Sequence, residues 1–442
     1  MKRTNVNHPT VPLVALRTVQ FLTIVVTMAL SATLPTFANS DFPPYRYYVS
    51  KNGDNTTGRT WATAWNEMDQ IKWAQIKTQQ GDSLILDGGV GRMIYRKPMQ
   101  VQAAASSYYP LSVTVSTEAK HNGQVVIAPG NAVNGIDIPS GSIKLDGLKR
   151  AGIFVYGAKR GIAVSANSPY PSSIKNIEVS HCTDVGVYIG PTYYPLPLNQ
   201  LLVHDNATNV VATSNGSGGG PSLTKCWIYN QNARRNSDGV RIDSTSSAPG
   251  RGIVISNCVL GPGLRDGLNN TVISTAPTLN NCLLINSSRN NISSSSINLQ
   301  NVTSFMTRLN TSQMAHSAIK LTPPTSGPPY PLNSAVKQSI IYGGMVDIPL
   351  TIPSPYHTYP PAPPIPFPIV VERNTQFRTT GNTLVLAPTM VNPQFRSPVA
   401  LLPNQTPISV LMGLDFSLQP NSPAAATGSA VTSVKNLLST FD

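Results

Sequence analysis

The 442-residue chain predicts an all-β solenoid, a stack of coils of short parallel strands closed at its N-terminal end by a cap helix. Three observations carry that expectation. First, a polar turn ending in a small residue or Met and followed by an apolar one recurs along the chain, at Gly135-Ile136, Gly161-Ile162, Gly186-Val187, Asn209-Val210, Gly239-Val240, Gly267-Leu268, Asn291-Ile292, Ala318-Ile319 and Met345-Val346. The apolar starts lie roughly 23 to 30 residues apart, the length of one solenoid coil. Second, the segments after these turns alternate with period two, as strands with one buried face require. Third, charged residues make up only 12% of the chain while it holds 39 Pro and 32 Gly, a balance that suits all-β rather than helical architecture.

Taken in order, residues 1–38 read as an export signal. Lys2, Arg3 and Arg17 precede the apolar stretch Val19 to Leu34, and Thr36-Phe37-Ala38 offers small residues at a cleavage site. Residues 39–120 are expected to hold the cap and first coil, 121–350 the main coils, and 351–442 a proline-rich excursion with the closing segment. Tyr47 to Val49 is a strand. Ala64 to Lys77 predicts the cap helix, with Trp65, Met68, Ile71 and Ile76 near one face and Gly81 beyond its end. Such a cap covers the unpaired backbone and apolar side chains of the first coil. Ser83 to Leu86 is the next strand. Each later coil is expected to hold a second strand, as in Ile174 to His181, Leu201 to Asp205, Ile253 to Val259 and Leu279 to Ile285. The Gly or Asn before the first seven apolar starts is expected to supply a positive φ. Prolines crowd residues 353–368, which fits a surface excursion. Thr383 to Ala387 resumes a strand.

The formal net charge is +13, falling to about +10 once the basic signal is removed. A basic exported chain meets anionic partners. Cys226, Cys258 and Cys282 recur at coil spacing, and Cys182 is expected at the same position, with Asn206 and Asn301 filling it elsewhere. The register predicts a buried ladder of free thiols and amides.

The repeated Gly-Ile steps, the segment Ile253 to Val259, the opening Tyr48-Val49-Ser50 to Leu86 and the close Asp415 to Ala424 resemble the right-handed parallel β-helix superfamily that includes pectate lyases and polygalacturonases. The resemblance covers roughly residues 45–430 and speaks for fold more than for activity. It implies a secreted or cell-surface protein, monomeric, with an acidic polysaccharide as partner and no nucleic acid or, after cleavage, membrane. The competing expectation is a non-catalytic surface or matrix protein that uses the solenoid as an adhesive scaffold.

Two flanks of the coils carry candidate groups. Arg234, Arg235, Arg241, Arg265 and Arg289 cluster on one, and guanidinium groups suit carboxylates and sulfates. On the other, Tyr193 and Tyr194 offer ring faces to sugars. Asp238 and Asp266 align one coil apart, close enough for a glycosidase carboxylate pair. Asn236-Ser237-Asp238-Gly239 resembles the Asn-Thr-Asp-Gly segment of polygalacturonases. Arg265 stands where that family has the first Asp of a pair, and neither Gly-His-Gly nor Arg-Ile-Lys follows. A lyase would use cations to stabilise an enediolate, with Arg241, Arg265 or Lys225 nearby. No cofactor is expected, except Ca²⁺ in a lyase, for which Asp238 and Asp243 are the candidate ligands. His181, His204 and Asp205 are expected to be surface residues.

Overall fold

The computed structural model describes residues 44–347 apart from segments at 77–80, 103–109, 140–141, 166–171, 192–194, 215–219, 232–236, 245–251, 273–275, 307–316, 322–333, 338 and 343–344; beyond 347 it describes short stretches only. The chain is a right-handed parallel β-helix. Among the described residues, three parallel sheets of 12, 11 and 10 strands run its length. Each coil visits the first, second and third sheet in turn, as Ile143–Asp146, Ile153–Tyr156 and Arg160–Val164 do, before Ser173–Lys175 returns to the first.

The predicted apolar starts form one inward column of the third sheet. Ile136, Ile162, Val187, Val210, Val240, Leu268 and Ile292 follow one another in register and are all fully buried. Stacking like on like puts each side chain about 4.8 Å from its neighbours above and below. The core is therefore continuous, although each coil contributes little of it.

The structure differs from the expected second strand of each coil. That segment is two strands in two sheets, split by one residue of left-handed backbone: Asn176 between Ser173–Lys175 and Ile177–Ser180, then Gln200, Lys225, Asn257, Asn281 and Asn301 in the following coils. One such residue turns the chain from the first sheet to the second while Ile174 and Ile177 both stay inside. Asn suits the site because it tolerates positive φ. Its amide also continues the stack, with Asn281 Nδ2 donating to Asn257 Oδ1 (2.5 Å) and Asn301 Nδ2 to Asn281 Oδ1 (3.2 Å).

The thiol column follows one residue later. Cys226, Cys258 and Cys282 stand in successive coils, buried and free. Cys182 is also buried and free, but it occupies another corner, where its backbone N–H donates to Asn206 Oδ1 (2.9 Å). Asn301 belongs to the asparagine column instead.

The cap differs too. Within 64–76 the chain forms two short 3₁₀ turns, Met68–Gln70 and Trp73–Gln75, in place of an α-helix. Trp65, Met68, Ile71, Trp73 and Ile76 are still buried, and Trp65 stacks on Tyr47 with centroids 5.6 Å apart. The apolar spacing recorded which residues cover the first coil, and irregular backbone serves that purpose as well as helix.

Thr351–Ile352, just before the proline-rich stretch, pairs antiparallel with Ile365–Pro366 inside it. Phe395–Ser397 pairs antiparallel with Asp415–Leu418. The export signal and Thr383 to Ala387 lie outside the described residues. No helix among the described residues is long and apolar enough to cross a membrane.

Candidate functional site

The corner between the second and third sheets is closely packed. Its glycines lack the positive φ expected of them; crowding selects them instead. A Cβ on Gly161 would stand 2.2 Å from Val179 Cγ1 and 2.6 Å from the carbonyl oxygen of Gly186. This tight corner fixes the residues that precede each strand of the third sheet.

Asp238 and Asp266 occupy one column there, as the spacing predicts, with Asn290 and Ser317 after them. Both aspartates are fully buried. Arg265 holds Asp238 bidentately, Nε to Oδ1 at 2.8 Å and Nη2 to Oδ2 at 2.7 Å, and Asn269 Nδ2 adds a bond at 3.0 Å. Arg289 repeats the grip one coil later, with Nε 2.9 Å from Asp266 Oδ1 and Nη2 bonded to Oδ2. Asn290 adds its backbone N–H (3.0 Å) and Nδ2 (2.9 Å) to Asp266 Oδ1. Each arginine thus reaches back one coil to an aspartate. Hydrogen bonding to Asp266 raises the pKa of Arg289, so this guanidinium is held as a cation.

Carboxylates placed this way orient guanidinium groups. Hydrolysis by the Asp238–Asp266 pair needs a carboxyl free to give a proton and another free to take one, and every oxygen here is taken. The arginine side chains remain partly accessible, with exposures of 26% for Arg265 and 43% for Arg289.

The outward row of the third sheet lies beside them. Tyr188, Val211, Arg241, Asn269, Ser293 and Lys320 follow in register. Arg241 Nε bonds Asp243 Oδ2 at 3.0 Å, which ties both to the strand surface. Lys320 is exposed. At the same corner, earlier in the stack, Arg160 bonds Asp184 (2.9 Å) and lies over the Tyr188 ring at 4.1 Å.

The structure thus brings Asp238, Asp266, Arg241, Arg265 and Arg289 to one edge of the third sheet. Arg234, Arg235, Tyr193 and Tyr194 lie outside the described residues. Lys225 turns the chain between the first and second sheets, and so does not join Arg241. Among the described residues, no group of three or more His, Cys, Asp or Glu is arranged to hold a metal ion.

Sequence reasoning missed Asn269, Asn290 and the Arg160–Asp184 pair. An arginine and an aspartate about one coil length apart was the available signal. It also misplaced His204, which is buried: Nδ1 sits 2.8 Å from Asp205 Oδ2 and Nε2 sits 3.1 Å from Glu178 Oε1. Burial lowers its pKa, but the bonds to Asp205 and Glu178 outweigh that and the net shift is upward.

No protein-family model matches the sequence, and no curated protein matches it. Solved structures with a similar course include the pectate lyase Pel9A, 13% identical, with 87% of this chain and 92% of that one covered at a TM-score of 0.47. A rhamnogalacturonan lyase is 12% identical, covering 86% and 97% at 0.40. An alginate lyase from Paenibacillus sp. str. FPU-7 is 13% identical, covering 70% and 90% at 0.37. These are likenesses of fold. The three parallel sheets make this chain a right-handed parallel β-helix in their own right.

Proposed function

We propose that the protein is an exported β-helix that binds an acidic polysaccharide along the outer edge of the third sheet. One observation supports this above the others. Arg265 and Arg289, in consecutive coils, are braced by buried carboxylates with their side chains left partly accessible. Burying a carboxylate costs several kcal/mol before pairing recovers it, so the brace is an expensive way to fill a corner. It does hold a cation in one place, at the coil spacing of about 4.8 Å. Each guanidinium spends two of its five N–H donors on aspartate, and the rest suit a carboxylate or sulfate. Arg241 and Lys320 widen the basic row.

Binding without cleavage is favoured by the saturation of Asp238 and Asp266. If the protein does cleave, elimination suits the site better than hydrolysis, because fixed cations stabilise an enediolate. Titration with polygalacturonate, alginate and a sulfated glycosaminoglycan tests the proposal. At least one is expected to bind, and Arg241→Ala with Arg289→Ala should weaken it about tenfold or more. Unchanged affinity in that double variant ends the reading. Reducing-sugar and unsaturated-product assays on the same panel separate a binder from an enzyme.

A further inference from the structure

The outer face of the second sheet changes character along its length. From Leu202 onward its outward row, Leu202, Trp227, Val259, Leu283 and Thr303, is buried. In the two coils before, the same face is open. Tyr156 is 43% exposed, and Phe154 and His181 are accessible. These rings adjoin: Phe154 meets Tyr156 edge-on at 5.7 Å, and Tyr156 meets His181 at 5.0 Å.

An oriented acceptor stands beside them. Glu178 is in register with Phe154, one coil on. Its Oε1 lies 3.1 Å from His204 Nε2, and His204 is fixed in turn by Asp205 at 2.8 Å and by stacking on Tyr229 at 4.9 Å. Glu178 Oε2 has no hydrogen bond among the described residues, and the side chain is 19% exposed. The arrangement is a rigid aromatic patch with one pre-aimed carboxylate oxygen at its edge.

That pairing has a specific chemistry. A pyranose ring has an apolar C–H face, which packs on aromatic rings, and hydroxyls at its rim, which donate to a carboxylate. Aromatic side chains on a sheet lose little freedom on contact, and a site of apolar surface with a few placed polar groups is the usual form of a small-ligand site. Glu178 presents a carboxylate oxygen at the patch edge, which accepts from a sugar hydroxyl, whereas like-charge juxtaposition disfavours a uronate carboxylate there. We infer that Phe154, Tyr156, Glu178 and His181 form a binding subsite for a neutral sugar ring on the second sheet. It does not rest on the arginine row of the third sheet, and it fits a glycan of mixed composition or a second, neutral chain.

The test is calorimetric titration of the full-length protein with neutral cello-, manno-, galacto- and xylo-oligosaccharides. At least one is expected to bind. Tyr156→Ala should weaken it about tenfold, His181→Ala should weaken it measurably, and Arg289→Ala should leave it unchanged. Both substituted rings are exposed, and matching circular dichroism spectra confirm the fold. The inference is overturned if no neutral oligosaccharide binds, if Tyr156→Ala binds as tightly as the parent, or if Arg289→Ala abolishes binding.

Discussion

Arg265 and Arg289 hold equivalent places one coil apart, yet their loss is expected to cost different amounts. Without Arg265, the fully buried Asp238 keeps only the Asn269 amide. Arg265→Ala should therefore cost about 3 kcal/mol, as stranding a buried charge does. Without Arg289, Asp266 keeps two donors from Asn290. Arg289→Ala should cost about 1 kcal/mol, since the lost cation was also the more exposed. Urea unfolding of the two variants checks the order, and equal losses would show that the braces are not what holds this corner. His204 gives a pH dependence. Its folded pKa is raised, so its contribution is full below the unfolded value, about 6.5, and is lost as pH rises through the folded value. Asp205 runs the other way: burial raises its pKa, the bonds from His204 and the Gln231 backbone outweigh that, and the net shift is downward. Its contribution is lost as pH falls through that lowered value. Stability should therefore decline as pH rises from about 6.5 through the raised folded value, and His204→Gln should flatten that decline in unfolding curves taken across pH.

At the scale of the element, the corners decide more than the strands. Gly161→Ala should cost about 3 kcal/mol through overpacking, because its Cβ meets Val179 and the Gly186 backbone. Asn281→Ala loses two ladder bonds and places a Cβ-bearing residue without a stabilising side chain at φ 51°. It should cost about 2 kcal/mol, and Asn281→Gly about half of that, since glycine restores the backbone freedom but not the bonds. Thermal unfolding distinguishes the three. The neighbouring cysteines should be inert in the folded protein. Burial pushes Cys182 and Cys282 up to about 12 and raises Cys258 well above its ordinary value, which leaves little thiolate to react. Alkylation should be slow until denaturant is added, after which all the thiols titrate without reductant.

The whole molecule is a quasi-one-dimensional stack, so its surfaces are long rows and its charge acts along them. With a formal charge of +13, binding of an acidic polysaccharide should weaken steeply as salt rises past the range where the Debye length is about 10 Å. Neutral sugar binding at Tyr156 should be nearly salt-independent. Titrations of both ligands at low and high ionic strength test this, and a shared salt dependence would mean that they compete for one face. The coil period, the inward apolar column, the aligned aspartates and the thiols of three successive coils were all legible in the sequence. Each depends on spacing along the chain, and in a solenoid such spacing becomes stacking in space. The two-strand reading of each coil failed at Asn176 and its equivalents because a single left-handed residue leaves almost no mark on an alternating pattern.

By itself, the sequence determined that the chain winds in recurring coils and which residues lie above one another. Repetition supplies that information, since a recurring turn-and-apolar step and a buried face allow one register. The tertiary structure alone decided what the stacked groups do. Asp238 and Asp266 share a column either as a free pair or as braces, and only the reach of Arg265 and Arg289 back across one coil distinguishes the two. His204 likewise looks like a surface residue until Glu178 arrives from the coil before. In both cases the deciding partner sits more than twenty residues away, and its side-chain direction is set by packing that no local pattern records.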